Sequence, residues 1–224
     1  DADTTHHPEL LPRAVAALTE DRAQALSLVG RQELGSFWER LVQPQIFSLI
    51  GLRYRRLDRV ITPERRNDAI ANGQYIMVER GCYLAMGGHG AVRGEVVEDL
   101  RLAQELTGNG ARLTVRGAED VFSTRMYTSL PELVNGWTKN LAVGARQSAV
   151  GWSVLALPGI VAFLLLAWVL PAAVLLLAGG AALAGGGAGP LLGWAILATA
   201  LGTVLWGVGY ARFGVHPAHA LLHP

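Results

Sequence analysis

Hydrophobic and polar positions fall into two regimes along this chain. Up to Arg146, apolar residues come in short periodic groups separated by turn residues. From residue 147 to residue 211 there is no Asp, Glu, Lys, Arg or His at all. In the first regime, Leu11, Ala14, Val15 and Leu18 fall at helical spacing after a turn at His7-Pro8. Residues 25–29 alternate weakly and predict a strand. Residues 34–52 are apolar and aromatic, broken by Pro44, and run into Arg53, Arg55, Arg56 and Arg59. A helix with buried aromatics and arginines at its edge suits a membrane interface, so 34–52 is read as an interfacial helix. Residues 62–72 are polar and loop-like. Asn72-Gly73 marks a turn, and residues 74–78 make a strand. A flexible loop at Gly87-Gly88-His89-Gly90 precedes a helix over 95–107 that stops at Gly108-Asn109-Gly110. Val96, Val97, Leu100, Ala103 and Leu106 give that helix its expected apolar face, and residues 111–116 predict another strand.

The second regime has the composition a bilayer demands. Residues 155–178 and 191–209 are each long enough to span, with Pro158 and Pro171 as possible kinks and a glycine-rich turn over 179–189. Lys139 and Arg146 precede the first span and Arg212 follows the second, which places both ends on the cytoplasmic side of a multi-pass inner-membrane protein. Trp152, Trp194, Trp206 and Tyr210 are candidate interface anchors. Gly202 and Gly207 suit helix packing. The domain expectation is therefore a soluble part over 1–146 and a membrane region over 147–224.

Charge then narrows the function. The first 146 residues carry 18 basic and 18 acidic side chains, and only Arg212 is charged beyond them. That balance argues against nucleic acid as a partner. Cys82 is the single cysteine, so no internal disulfide forms and a cytoplasmic face is the simpler expectation.

Two acidic motifs carry the candidate chemistry. Asp1-Ala2-Asp3 is a D-x-D pair, a compact way to hold Mg²⁺ or Mn²⁺ against a diphosphate, since hard cations take carboxylate oxygens and share their shell with substrate phosphates. Glu98-Asp99 opens the helix over 95–107, where carboxylates are favoured by unpaired N–H groups and the helix dipole, and one of them can act as a general base. His6 and His7, next to Asp3, are within reach of a metal or phosphate but equally suit an exposed loop. Together the motifs suggest transfer from a nucleotide-activated substrate. The start on Asp1 leads us to expect a domain that lacks its N-terminal half.

The series Asp1-Ala2-Asp3-Thr4, Asn72-Gly73-Gln74-Tyr75, Gly87-Gly88-His89, Val97-Glu98-Asp99 and Gly136-Trp137-Thr138-Lys139-Asn140 resembles the family-2 glycosyltransferases of the GT-A fold. It is most similar to their membrane-anchored, non-processive branch, which acts on carotenoid-type and other lipid acceptors. The resemblance implies an α/β fold: the C-terminal part of a Rossmann-like GT-A domain, followed by transmembrane helices. It implies Asp1 and Asp3 at the nucleotide, Asp3 on the Mg²⁺ or Mn²⁺, Asp99 as catalytic base with Glu98 supporting it, and an acceptor pocket at Gly73, Gln74, His89 and Trp137. The implied reaction moves a hexose from a nucleotide sugar, a UDP-sugar in the first instance, to a polyprenyl, carotenoid-like or other lipid hydroxyl with inversion. Residues 1–224 alone would then be inactive for want of the nucleotide-binding strands. Processive members carry Q-x-x-R-W; Trp137 is present here, but Leu133 and Gly136 stand at the Gln and Arg positions. That argues against polysaccharide synthesis, the alternative enzyme. A non-catalytic membrane module with a degenerate transferase domain is the alternative outside enzymes, and Asp3 and Asp99 argue against it.

Overall fold

The computed structural model describes residues 3–54, 60–148, 165–186 and 189–222, with Gly159 and Ala162. It is mixed α/β, with small mixed sheets, and divides into two units: residues 1–39 with 49–151, and residues 40–48 with 152–224. In chain order the elements of the first unit are β1 (Thr4–His6), α1 (Leu10–Asp21), β2 (Ala25–Val29), β3 (Arg31–Gln32) and the ends of α2 (Phe37–Arg53). There follow β4 (Ile76–Val78), α3 (Arg80–Ala85), α4 (Glu98–Gly108), β5 (Leu113–Gly117), β6 (Phe122–Thr124) and α5 (Leu130–Ser148). Short 3₁₀ segments at Pro63–Asp68, kinked at Arg65, and at Gly88–Val92 occupy two segments whose sequence reads as loop.

Two three-stranded sheets organise this unit. One has the order β4-β2-β5, with β2 antiparallel to β4 and parallel to β5. The other has the order β1-β6-β3, with β6 antiparallel to β1 and parallel to β3. Strand β2 is buried on both faces. Leu26 and Leu28 meet Leu10 and Ala14 of α1, while Ala25 joins Leu102, Ala103 and Leu106 of α4. A strand covered on two sides needs no polar positions, which explains the weak alternation of residues 25–29. The apolar face of α1 is rotated by one residue from expectation, while that of α4 is buried as expected at Leu100, Ala103 and Leu106. In α1 the buried positions are Leu10 and Ala14, while Leu11 and Val15 are exposed. In α4 they include Leu100, Leu102, Ala103 and Leu106, while Val96 is exposed ahead of the helix.

Helix α2 runs unbroken through Pro44. Its start is fixed by a capping box: the Ser36 hydroxyl accepts from the Glu39 N–H and the Glu39 carboxylate accepts from the Ser36 N–H. Glu39 has no solvent-exposed surface, and it also accepts from the Gly35 N–H at 2.9 Å and from both Nε and a terminal nitrogen of Arg125, at 3.1 and 3.0 Å. Phe37 and Trp38, edge to face at 5.0 Å, are half exposed. Arg55, Arg56 and Arg59 lie outside the described residues, so the arginine cluster expected at the end of the interfacial helix is described here only in part.

In the second unit a π-turn at Leu165–Val169 leads into α6 (Leu170–Leu183), and α7 runs over Gly189–Arg212. At 1.5 Å per residue α7 is about 36 Å long, and it is long and apolar enough to cross a membrane. Helix α6 continues through Gly179-Gly180, where the sequence reads as a turn; the turn falls at Ala184–Gly186 instead. Most of the early part of the expected first span, with Pro158, lies outside the described residues, as does Trp152; residues 165–178 of that span form the π-turn and the start of α6. Trp194 is half exposed, as an interface anchor requires, but Tyr210 is buried: its hydroxyl donates to the Leu41 carbonyl at 2.7 Å and accepts from the Gln45 amide at 2.7 Å. Gly207 packs against Pro217, whereas Gly202 faces open space.

Candidate functional site

Asp99 sits in the first turn of α4, and its place is set from the loop before β4. Asn72 anchors that loop to β2. Its N–H donates to the Ser27 hydroxyl at 2.7 Å and its side-chain amide donates to the Leu28 carbonyl at 3.0 Å and to the Gln74 side-chain oxygen at 3.1 Å. The next residue, Gly73, donates its N–H to the Asp99 Oδ2 at 2.9 Å. The Leu100 N–H donates to Oδ1 at 2.7 Å. Burial pushes the Asp99 carboxyl above the ordinary aspartate range; the two N–H groups pull it back in part, and the charge of Glu98 adds to the rise. Glu98 itself is exposed.

An open concavity of about 550 Å³ reaches Gly73, the residue whose N–H holds this carboxylate, although Asp99 itself is not among its lining residues. It is lined by Gly73, Gln74, Tyr75, Ile76, Val78, Arg80, Tyr83, His89 and Leu102. Three of the four expected acceptor-pocket residues, Gly73, Gln74 and His89, are therefore brought together, and Gly73 links them to Asp99. Gly73 has a steric reason to lack a side chain. A Cβ there would stand 3.1 Å from Oδ2 and 3.2 Å from the Cβ of Asp99. Gly73→Ala is expected to shift the carboxylate by a few tenths of an ångström and, if Asp99 is the base of the reaction proposed below, to lower kcat about 10-fold with a smaller change in KM. Steady-state kinetics of the variant checks this.

Trp137 lies in a different place. It is buried on α5, with its ring edge-on to Tyr127 at 6.0 Å, and is not among the residues that line the concavity. A Cβ on the preceding Gly136 would overlap the Tyr127 ring, so the glycine lets α5 approach. The Tyr127 hydroxyl accepts from the Asn140 amide at 3.4 Å. Burial raises the Tyr127 hydroxyl above its ordinary value, Asn140 lowers it, and the nearby charge of Asp3 adds to the rise. Asp3 thus belongs to the neighbourhood of Tyr127, Trp137 and Asn140. Its carbonyl accepts the Arg125 N–H at 3.1 Å, which joins the entry of β1 to the exit of β6. The two neighbourhoods are tied by rings: His6 of β1 lies edge-on to Tyr75 at 5.7 Å and to Phe122 at 5.3 Å. Both histidines are exposed, as an edge or loop position allows, and the His7 Nδ1 accepts the Glu9 N–H at 3.3 Å.

Asp1 lies outside the described residues. Among the described residues no group of three or more His, Cys, Asp and Glu is placed to hold a metal. Asp3, the described member of the D-x-D pair, is an exposed carboxylate. A single carboxylate suits Mg²⁺ or Mn²⁺ that arrives with a diphosphate and completes its shell from phosphate oxygens and water, and does not suit a resident ion in an all-protein cage. Two participants escaped the sequence reading. Tyr83 stands six residues before His89, with the Gly87-Gly88 pair between them as the only local hint. Glu39 was signalled by Ser36-x-x-Glu39. Comparisons with protein-family models, curated proteins and solved structures gave no match to this chain.

Proposed function

We propose that this chain is part of a GT-A-type, membrane-anchored glycosyltransferase that moves a sugar from a nucleotide sugar to a lipid hydroxyl, with inversion. The observation that carries the reading is the Asp99 carboxylate. It is half buried and held by the N–H of Gly73, which lines a concavity that we assign to the acceptor. In the proposed step the acceptor oxygen attacks the anomeric carbon and forms the new C–O bond, and Asp99 takes the hydroxyl proton. The bond from the anomeric carbon to the phosphate oxygen breaks, and its electron pair leaves with the nucleoside diphosphate. Attack from the face opposite the leaving group inverts the configuration. Raised basicity suits Asp99 to this work, because a carboxylate that is costly to ionise holds the proton it receives more firmly. Asp3 would bind a divalent cation, which when bound supplies positive charge against the departing diphosphate. Helix α7, apolar along its length, supports a membrane anchor and hence a lipid acceptor.

Asp3→Ala tests the donor side. Nucleotide affinity in the wild type is expected to rise with Mn²⁺, and the variant is expected to lose that dependence while staying with the membrane. Titration of UDP with and without Mn²⁺ reads it. An unchanged cation response in the variant means that the ion sits on other ligands.

A further inference from the structure

One pair of side chains at the concavity has no part in the proton transfer just described. The Tyr83 hydroxyl and the His89 Nδ1 are 2.6 Å apart, and the backbone N–H of His89 donates to the same hydroxyl oxygen at 3.1 Å. That oxygen already accepts one hydrogen bond, so its own proton is free to go to Nδ1. An imidazole that accepts at Nδ1 carries its proton on Nε2. This arrangement favours the Nε2–H tautomer, an assignment made from the hydrogen-bond geometry, and Nε2 is the ring nitrogen that Tyr83 does not engage in a residue that lines the concavity. The backbone is shaped for this pairing. Gly87 and Gly88 take positive φ, +90° and +57°, and a Cβ on Gly88 would stand 2.9 Å from the Tyr83 ring.

A neutral N–H donor that shares a concavity with Gly73, the residue that holds the proposed base, constrains the substrate. A hydrogen bond donated to the nucleophilic oxygen would draw off the electron density that oxygen needs for attack. The donor therefore has its use on a second oxygen of the acceptor head. Resting on the transferase reading above, we propose that His89, held by Tyr83 as a positioning residue, selects lipid acceptors that carry a second hydrogen-bond-accepting oxygen close to the reacting hydroxyl. A glycerol-ester head such as that of diacylglycerol has this character, and a simple long-chain alcohol does not.

The test uses the full-length protein in bilayer vesicles with a radiolabelled UDP-hexose. Three acceptors are compared: diacylglycerol, hexadecanol and a total membrane lipid extract. The wild type is expected to favour diacylglycerol over hexadecanol in kcat/KM by about 5–10-fold, the worth of one neutral hydrogen bond. Tyr83→Phe and His89→Ala are expected to lower kcat/KM for diacylglycerol far more than for hexadecanol, which removes most of that preference, and to leave donor KM unchanged. His89→Gln, which keeps an amide donor at similar reach, is expected to restore part of it; a merely structural role would give no such rescue. ¹⁵N spectra of labelled histidine, assigned by difference against His89→Ala, are expected to show the Nε2–H form in the wild type and a mixture of tautomers in Tyr83→Phe. A wild type that labels the total extract but shows no preference, or a preference that survives both Tyr83→Phe and His89→Ala, overturns this inference alone. A wild type that labels no lipid in the extract overturns the functional reading beneath it.

Discussion

Asp99→Asn is expected to lower lipid glycosylation about 10²–10⁴-fold, the usual contribution of a positioned general base, and to leave nucleotide-sugar affinity unchanged. The amide is nearly isosteric and still accepts the Gly73 N–H, which is 2.9 Å from Oδ2, but it takes no proton. The pH dependence adds a second readout. Burial raises the Asp99 carboxyl above its ordinary value, so the base is lost by protonation at a higher pH than for a solvated aspartate, near 4. The acid limb of kcat/KM in the wild type should therefore lie above that value and be absent from the residual activity of Asp99→Asn. The sign for stability runs the other way. A carboxyl with a raised folded-state pKa favours folding while it is protonated, and that contribution is lost as pH rises through the folded value. Removal of the charge should thus leave Asp99→Asn at least as stable as the wild type at neutral pH. An active Asp99→Asn, or one that is merely unfolded, would contradict the assignment.

The largest effect on stability is expected at Glu39. Burial alone would raise its carboxyl, but the Arg125 fork, the Ser36 hydroxyl and the Gly35 and Ser36 N–H groups outweigh it and hold the carboxyl at about 2. Its folded pKa is depressed, so its contribution is present above the unfolded value of about 4.3 and declines as pH falls from there through about 2. Removing the cation strands a charge that has no exposed surface. Breaking a fully buried pair costs about 3–5 kcal/mol. Arg125 is 44% exposed, so water screens part of the interaction, and about 2–3 kcal/mol is expected for Arg125→Ala. Equilibrium unfolding at pH 7 measures it. Glu39→Gln should flatten the acid-side loss of stability between pH 4.3 and about 2. A change under 0.5 kcal/mol in Arg125→Ala, the scale of an ordinary surface substitution, would show that the capping N–H groups alone hold Glu39. The pair also bears on function, because the backbone N–H of Arg125 holds the Asp3 carbonyl.

The legible parts of this fold were those in which a local pattern carries its own physics. Asn72-Gly73 announces a turn through its own side-chain chemistry, and the same turn delivers the N–H that holds Asp99. The uncharged run from 147 to 211 announces apolar helices, and α7 answers to it, beginning two residues earlier and ending three later than read. Strands β3 and β6 were not read, because two or three residues carry no period and each exists only through a partner far along the chain. Pro44 suggested a break, yet α2 continues through it, since residues 40–48 pack into the second unit and tertiary contact outweighs the lost backbone bond. The face of α1 was displaced because spacing alone leaves the phase of an amphipathic helix open when apolar residues are adjacent, as Leu10-Leu11 are; the face of α4, at Leu100, Ala103 and Leu106, is buried as read. The Tyr83–His89 bond depends on the positive φ of two glycines, which composition hints at and only geometry provides.

The most direct test of the transferase reading is release of nucleoside diphosphate from a radiolabelled nucleotide sugar, in the presence of membranes, by the full-length protein. The account predicts release that requires a divalent cation, passes the label into the lipid phase, and disappears in Asp99→Asn. Release that proceeds without a cation and is indifferent to Asp99, or no release from any nucleotide sugar with membranes present, would contradict it.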